Sequence, residues 1–229
     1  MSSPAFTANP ADALRREQPR RAEAKWRETL PVLCTGDVVL REVQLSDAPM
    51  LASLLSTPQM SRYISTPPAS VEGFEQFIAA SQRARANGEG ACFTVTFGDL
   101  DTPVGLFQIR VTSPGTSGTE GLSGRDSAEW GFAVAPQFWG TGVFATAASL
   151  VLEFVFQQMG AHRLEARCAL KNGRGGKALT KVGAVPEGIL RKAMLCGEEQ
   201  LDQVLYAIVA DDWRACRDRC RSAAVTLVH

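Results

Sequence analysis

The stretch Gln137-Phe138-Trp139-Gly140-Thr141-Gly142 is where residue types and spacing point most directly to chemistry. It lies between an aromatic, β-branched run closed by Pro136 and an apolar run at helical spacing that opens at Val143. A helix start leaves four backbone N–H groups without intrahelical acceptors, and the aligned peptide dipoles put partial positive charge there. Together these make an anion site. Glycines at 140 and 142 permit unusual dihedrals and close approach of a phosphate to the backbone. Taken alone, the same pair of glycines describes a tight turn with no ligand. Two phosphate patterns do not fit. No Gly-Lys-Ser/Thr follows, as a P-loop requires. A dinucleotide fingerprint belongs after a first strand, with an acidic residue about 20 positions on, whereas this turn lies well past the middle of the chain. A nucleotide-binding oxidoreductase is therefore the least fitting reading.

Other residues on either side of the turn carry possible chemistry. Glu129 is a carboxylate on the strand before it, a residue that by itself reads as a partner in a structural salt bridge. Asn172 is a good helix N-cap that can also bond an amide or a water. In Gly173-Arg174-Gly175-Gly176-Lys177 the two basic side chains suit charge-assisted phosphate contacts; the other reading is a solvated loop. Trp130, Trp139 and Trp213 read as packing residues, His162 as a strand-edge residue and His229 as part of the tail. The six cysteines, Cys34, Cys92, Cys168, Cys196, Cys216 and Cys220, form no CxxC pair. Cys216 and Cys220 share a helix face but lack further ligands nearby, so reduced thiols and no metal are expected.

The elements that must position these residues follow from pattern. Val38–Val43 reads as a strand. Ser46-Asp47 reads as an N-cap before a helix with Met50, Leu51, Leu54 and Leu55 at helical spacing. A polar break holds Pro58, Pro67 and Pro68. Ser70 opens a second helix, with Phe74, Phe77, Ile78 and Ser81 on one face, and Asn87-Gly88 ends it. Strands are expected at Cys92–Phe97, Val104–Val111 and Ala128–Val134, the last two separated by a glycine-rich loop over 112–125. A long helix over Val143–Met159 ends at Gly160. A strand at Arg163–Leu170, a helix at Asn172–Val182, strands at Val185–Lys192 and Gln203–Val209, and a helix over Asp211–Arg221 complete the chain. No internal repeat stands out. The order predicts one α/β layered domain: a mixed sheet of about seven strands with helices on both faces.

With 229 residues and 45% hydrophobic content the chain can fill one core. Lys plus Arg equals Asp plus Glu at 24 each, so there is no basic footprint for nucleic acid and no polybasic membrane signal. No apolar run reaches the ~20 residues of a membrane span, and the polar N-terminus lacks a signal-peptide core. A cytoplasmic protein is expected. Residues 1–30 read as an extension, partly disordered or helical, whose Arg15, Arg16, Arg20 and Arg21 form a solvated face. Residues 31–229 read as a single domain.

The segment from Ala128 to Gly142, AEWGFAVAPQFWGTG, resembles motif A of the GNAT superfamily of N-acetyltransferases, and more narrowly its RimJ/RimL branch. Downstream, Asn172, Lys181-Val-Gly183, Glu187-Gly-Ile-Leu-Arg191, Gly197, Asp202, Tyr206 and Asp212-Trp213 resemble the run that follows in that branch. The resemblance spans about residues 37–214 and leaves the first 30 residues outside. It implies a mixed, mostly antiparallel GNAT sheet and direct transfer of an acetyl group from acetyl-CoA, as co-substrate, to a primary amine. The amine would be a protein N-terminus or a small molecule. No nucleic acid or membrane is implied, and relatives are monomers or homodimers. A CoA-binding module without catalysis is the alternative.

Carried onto this chain, the resemblance puts the CoA pyrophosphate on backbone N–H groups of Gln137, Phe138, Trp139, Gly140, Thr141, Gly142, Val143 and Phe144. The pantetheine would lie along Phe132, Ala133 and Val134. Val134 would supply the N–H that polarises the thioester carbonyl, Glu129 would be the base or amine-orienting group, and Asn172 would contact pantetheine or a water. Arg174 and Lys177 would meet the 3′-phosphate. The acceptor wall would include Met60, Tyr63, Ile64, Pro67, Pro68 and Phe107. The chain departs from the family at the acid: the position seven after Asn172 is Leu179, where many members carry Tyr, and the position three after it is Gly175, where the branch often carries Ser. Tyr206 and Cys168 are the residual proton donors.

Overall fold

In the computed structural model the described residues are 22–63, 68, 70–112 and 127–217. The arginines at 15, 16, 20 and 21, residues 113–125 of the expected loop, Ile64, Pro67, Cys220 and His229 lie outside them. Eight strands form one sheet in the order β1-β2-β3-β4-β5-β6-β8-β7. Every neighbouring pair is antiparallel except β5 and β6, which run parallel. The strands are β1 (Leu33–Thr35), β2 (Val38–Glu42), β3 (Gly90–Phe97), β4 (Leu100–Thr112), β5 (Ser127–Val134), β6 (Arg163–Ala169), β7 (Val185–Cys196) and β8 (Glu199–Val209). The strand not anticipated is β1. Its three residues are too few to show an alternation, and it exists because Gly36, at φ 54°, turns the chain back onto β2.

Period-two alternation splits the sheet into two packed faces. Phe93, Phe107, Ile109 and Trp130 point to one, beneath α5 (Val143–Glu153). That helix continues through a wider π-type turn over Phe154–Gln158 and stops at Gly160, φ 74°. α1 (Ala22–Glu28) packs on the same face: Trp26 is buried and meets Phe154 edge-on, so part of the N-terminal segment belongs to the core. On the opposite face α2 (Ala48–Leu55) and α4 (Val71–Asn87) cover Val43, Cys92, Leu106 and Ala133, with the short α3 (Pro58–Ser61) between them. Ser70 caps α4 by accepting from the Gly73 N–H, and Gly88 closes it in the left-handed conformation, both as the sequence predicts. α6 (Gly173–Lys181) is capped by Asn172, and α7 spans 210–217.

One expected cap is corrected. Asp47 does not cap α2 with its side chain. Its buried carboxylate accepts two hydrogen bonds from Arg41 at 2.8 Å, and one each from the Gln44 N–H and Thr94 Oγ1 at 2.9 Å. It therefore ties the loop after β2 to β3, and through the Gln44 N–H it closes the capping box of the 3₁₀ turn Leu45–Asp47 that leads into α2.

The parallel pair is the feature that shapes the site. β5 and β6 pair only through Ser127 with Arg163, Ala128 with Leu164 and Glu129 with Glu165. β5 continues beyond Glu129 to Val134 against β4, while β6 continues beyond Glu165 against β8. Between them the sheet opens.

Candidate active site

The turn predicted to hold an anion sits at the end of the open part of β5. Pro136–Phe138 form one 3₁₀ turn and Gly142 is the N-cap of α5. Gly140 and Gly142 have φ of 81° and 94°, the left-handed region that disfavours a side chain. A Cβ at either would meet nothing within 4 Å among the described residues, so the space over the turn is open. Phe138 and Trp139 turn their N–H groups back onto Ala135 and Pro136, and the Val143 N–H points at Thr141 Oγ1. Among the described residues the N–H groups of Gln137, Gly140, Gly142, Phe144 and Ala145 take no protein acceptor. These are free donors at the positive end of a helix, and they suit a diphosphate.

Two side chains brace this turn. The Trp139 indole donates to the Val134 carbonyl at 2.7 Å, and the Arg174 guanidinium lies 3.8 Å from the Trp139 ring centroid. Stacking uses the face of the guanidinium and leaves its edge N–H groups to bond an anion. The contact joins the start of α6 to the turn. Lys177, paired with Arg174 in the sequence reading, lines a cleft of about 520 Å³ between α6 and β8, together with Tyr206.

Backbone direction along β5 follows from one bond. The Ala135 N–H donates to Val104 O on the β4 side at 2.8 Å. Alternation then turns Ala133 toward β4 and leaves Phe132 and Val134 facing the gap. The Val134 carbonyl is taken by Trp139, which is consistent with that direction. Of the strand residues expected along a pantetheine chain, Ala133 is thus the exception: its backbone belongs to the sheet and its side chain to the core under α2 and α4. The Phe132 and Phe144 rings meet in the other core, their centroids 4.6 Å apart and their planes tilted by 44°.

A second cleft, about 740 Å³, runs through the opening itself. It reaches from Asn172, Gly175 and Leu179 on the α6 side, past Phe132 and Cys168, to Glu129, Arg110 and Arg167 on the α4 side. Tyr63 and Pro68 line it as expected. Met60 and Phe107 do not. Met60 is buried beside α2, and Phe107 points to the opposite face, stacked with Phe132 and Phe144. The period of two puts Leu106, Gln108 and Arg110 into the cleft instead.

Glu129 lies between two arginines: Oε2 is 3.4 Å from Arg110 Nη2, directly across the β4–β5 pair, and Oε1 is 3.6 Å from Arg167 Nε. Neither arginine was singled out in the sequence. The signal was there in the polar, alternating positions 108 and 110 of β4, 129 of β5 and 167 of β6.

The glycines of α6 acquire a steric reason. A Cβ at Gly175 would come within 2.8 Å of Cys168 Sγ and 2.7 Å of Asn172 Nδ2; one at Gly176 would come within 2.7 Å of Tyr206 Oη. Asn172 Oδ1 accepts the Gly175 N–H at 3.0 Å. Where the family pattern would put a hydroxyl on α6, this chain therefore has the Cys168 thiol from β6 and the Tyr206 phenol from β8. Burial pushes the Cys168 thiol up to about 11. Burial, and then the neighbouring Cys168, raise the Tyr206 phenol above its ordinary value. Both keep their protons at neutral pH. Leu179 is fully buried and carries none.

The family described as "Acetyltransferase (GNAT) domain" matches residues 37–185. The chain belongs to the GNAT acetyltransferases. It is 24% identical over 181 residues to the uncharacterized N-acetyltransferase YnaD of Bacillus subtilis (strain 168), covering 79% of this chain and 98% of that protein. Its fold is shared with Mycobacterium smegmatis RimJ in complex with CoA-disulfide, at TM-score 0.67 and 22% identity, over 80% of this chain and 87% of that one. The ribosomal-protein-S5-alanine acetyltransferase of Vibrio fischeri gives TM-score 0.68 at 18% identity, over 80% of this chain and 98% of its own. The RimJ/RimL likeness read from the sequence thus recurs in three dimensions. Among the described residues no helix of this GNAT chain is long and apolar enough to cross a membrane.

Proposed function

We propose that this chain moves the acyl group of acetyl-CoA to a primary amine by direct attack. The observation that carries the reading is the opened β5–β6 pair, with a free-donor helix start following the end of β5 and a carboxylate lining the cleft through the gap. In support, a relative of the same fold was solved with CoA-disulfide and another with acetyl-CoA and AMP.

The N–H groups of Gln137, Gly140, Gly142 and Phe144 would hold the pyrophosphate, with Arg174 adding charge. The Phe132 and Val134 edge would pair with the pantetheine amides as a strand pairs with a peptide. The Val134 N–H would polarise the thioester carbonyl from a fixed position. The acceptor nitrogen, freed of one proton toward Glu129 or a water it holds, attacks the carbonyl carbon. The C–N bond forms, the C–S bond breaks, and the sulfur leaves with its electron pair. A second proton from nitrogen balances the thiolate. Overall, ammonium and thioester give amide, thiol and one proton.

A second reading, CoA binding without turnover, is favoured by Leu179 and Gly175, where the family pattern would supply an acid. One experiment separates the two. CoA affinity by calorimetry and thiol release with an amine panel are measured on the wild type and on Gly142→Trp. The variant fills the open space over the turn and strains φ 94°. A loss of CoA affinity of roughly a hundredfold or more, with the unfolding transition retained, is expected. Unchanged affinity removes the turn from the site. Tight CoA binding with no thiol release for any amine decides for the second reading.

A further inference from the structure

The charges of the through-sheet cleft do not balance. Among the described residues lining it, the ionisable side chains of fixed charge are Arg110, Glu129 and Arg167, two cations for one anion. The nearby carboxylates are committed elsewhere: Glu165 accepts from Arg163 at 2.7 Å and Glu187 at 2.9 Å. At 3.4 and 3.6 Å the two contacts to Glu129 are looser than the 2.8 Å pair at Arg41, and longer than a charge-assisted hydrogen bond prefers. Arg110 and Arg167 keep 68% and 45% of their side-chain surface exposed, against 18% for Glu129. The carboxylate is fixed, and the guanidiniums have reach to spare.

We infer that the acceptor amine carries a carboxylate of its own, bound by Arg110 and Arg167 while its nitrogen is held at Glu129. This deepens the acyl-transfer reading above and rests on it. Both guanidiniums stay solvated in the empty cleft, and an anion entering between them beside the apolar wall of Leu55, Phe74 and Phe77 meets two cations of which only one is matched by Glu129. The planar guanidinium fork matches a carboxylate in both geometry and donor number. Gln108 and Gln203, also on the cleft, add neutral donors that do not change that balance. The shared chemistry is an amine with a carboxylate a few bonds away. A free amino acid and an acidic first residue of a peptide both have it.

The test measures kcat/KM for acetyl transfer to matched pairs. Asp-Ala-Ala-amide against Asn-Ala-Ala-amide reports on peptides, and β-alanine against β-alaninamide reports on free amino acids. CoA affinity by calorimetry serves as the readout of a folded, loaded protein. The acidic member of at least one pair is expected to win by about tenfold or more, and the winning pair identifies the source. Arg167→Glu should reverse the sign, moving preference toward Lys-Ala-Ala-amide while CoA affinity is retained. Transfer that ignores the carboxylate, or favours the neutral member of both pairs, overturns this inference and leaves acyl transfer standing. So does a preference for succinyl-CoA over acetyl-CoA with neutral amines, which would put the carboxylate on the acyl group. CoA binding without transfer to any amine overturns both readings.

Discussion

Asp47 and Glu129 are both carboxylates held by arginine, and the protein builds them in opposite ways. Asp47 is 2% exposed and has every oxygen engaged, with four hydrogen bonds of 2.8–2.9 Å from Arg41, Gln44 and Thr94. Glu129 stands at the lip of a cleft with two ion-pair contacts among the described residues, at 3.4 and 3.6 Å. The first arrangement leaves no bond for a ligand to take. The second leaves donors and acceptors that a ligand completes. A network closed on itself is architecture, and one left open at the same kind of residue is where binding energy can be spent.

The largest effect expected from breaking the comparison lies at Asp47. Replacing it with alanine leaves Arg41, 12% exposed, with the surface carboxylate of Asp101 and the backbone carbonyls of Glu42 and Asp101, and removes the acceptor of Thr94 and of the Gln44 N–H. Loss of one partner of such a pair costs about 3–5 kcal/mol, read as a lower urea midpoint with unchanged slope. The pH dependence has a definite sign. Burial by itself would raise the Asp47 carboxyl, but the bonds from Arg41, Gln44 and Thr94 outweigh it and hold it below its ordinary value. The stabilisation is therefore complete above the unfolded-state value of about 3.9 and fades as pH falls through the lower folded-state value. Asp47→Ala should flatten that acid limb. An acid limb as steep as the wild type's would show that Asp47 is not its source.

Glu129→Gln should give the reverse pattern. Its ion pairs are long and partly solvated, so stability changes by less than about 1 kcal/mol. Turnover at saturating acetyl-CoA should drop by roughly a hundredfold or more, the usual contribution of a positioned base. Urea unfolding and steady-state thiol release on the same preparation check both halves. Unaltered turnover would reassign Glu129 to a structural salt bridge with Arg110 and Arg167.

The same contrast explains what could be read from the chain. The QFWGTG turn, the Ser70 and Gly88 caps of α4 and the Asn172 cap of α6 are local: each depends on residues a few positions apart, and each appears where the sequence puts it. Asp47 looked like a cap because its partners Arg41 and Thr94 are fixed only once β2 and β3 pair. Phe107 was put in the acceptor wall because its hydrophobicity is visible but its face is not; register with Phe132 decides that. Arg110 and Arg167 were invisible as a pair because 57 residues and a parallel crossover separate them. The gap between β5 and β6 has no sequence signature of its own. It arises where pairing stops.

The smallest effect is expected at Tyr206, and it asks whether the open cleft also needs a proton donor. The phenol reaches the start of α6 from β8, over Gly176, and its value is raised by burial and then by Cys168. Its proton is thus kept well into alkaline solution. A CoA thiol, with a value near 8.5 for an ordinary thiol, leaves readily without help, so an acid weaker than the group it would protonate gains little. Tyr206→Phe should lower kcat by no more than about threefold. A fall of about a hundredfold, together with loss of an alkaline limb in the kcat profile that the wild type shows, would instead make Tyr206 the acid that Leu179 cannot be. The missing side chain at Gly176 would then be what admits a donor from β8, and the open side of the comparison would extend from Glu129 through the sheet to that strand.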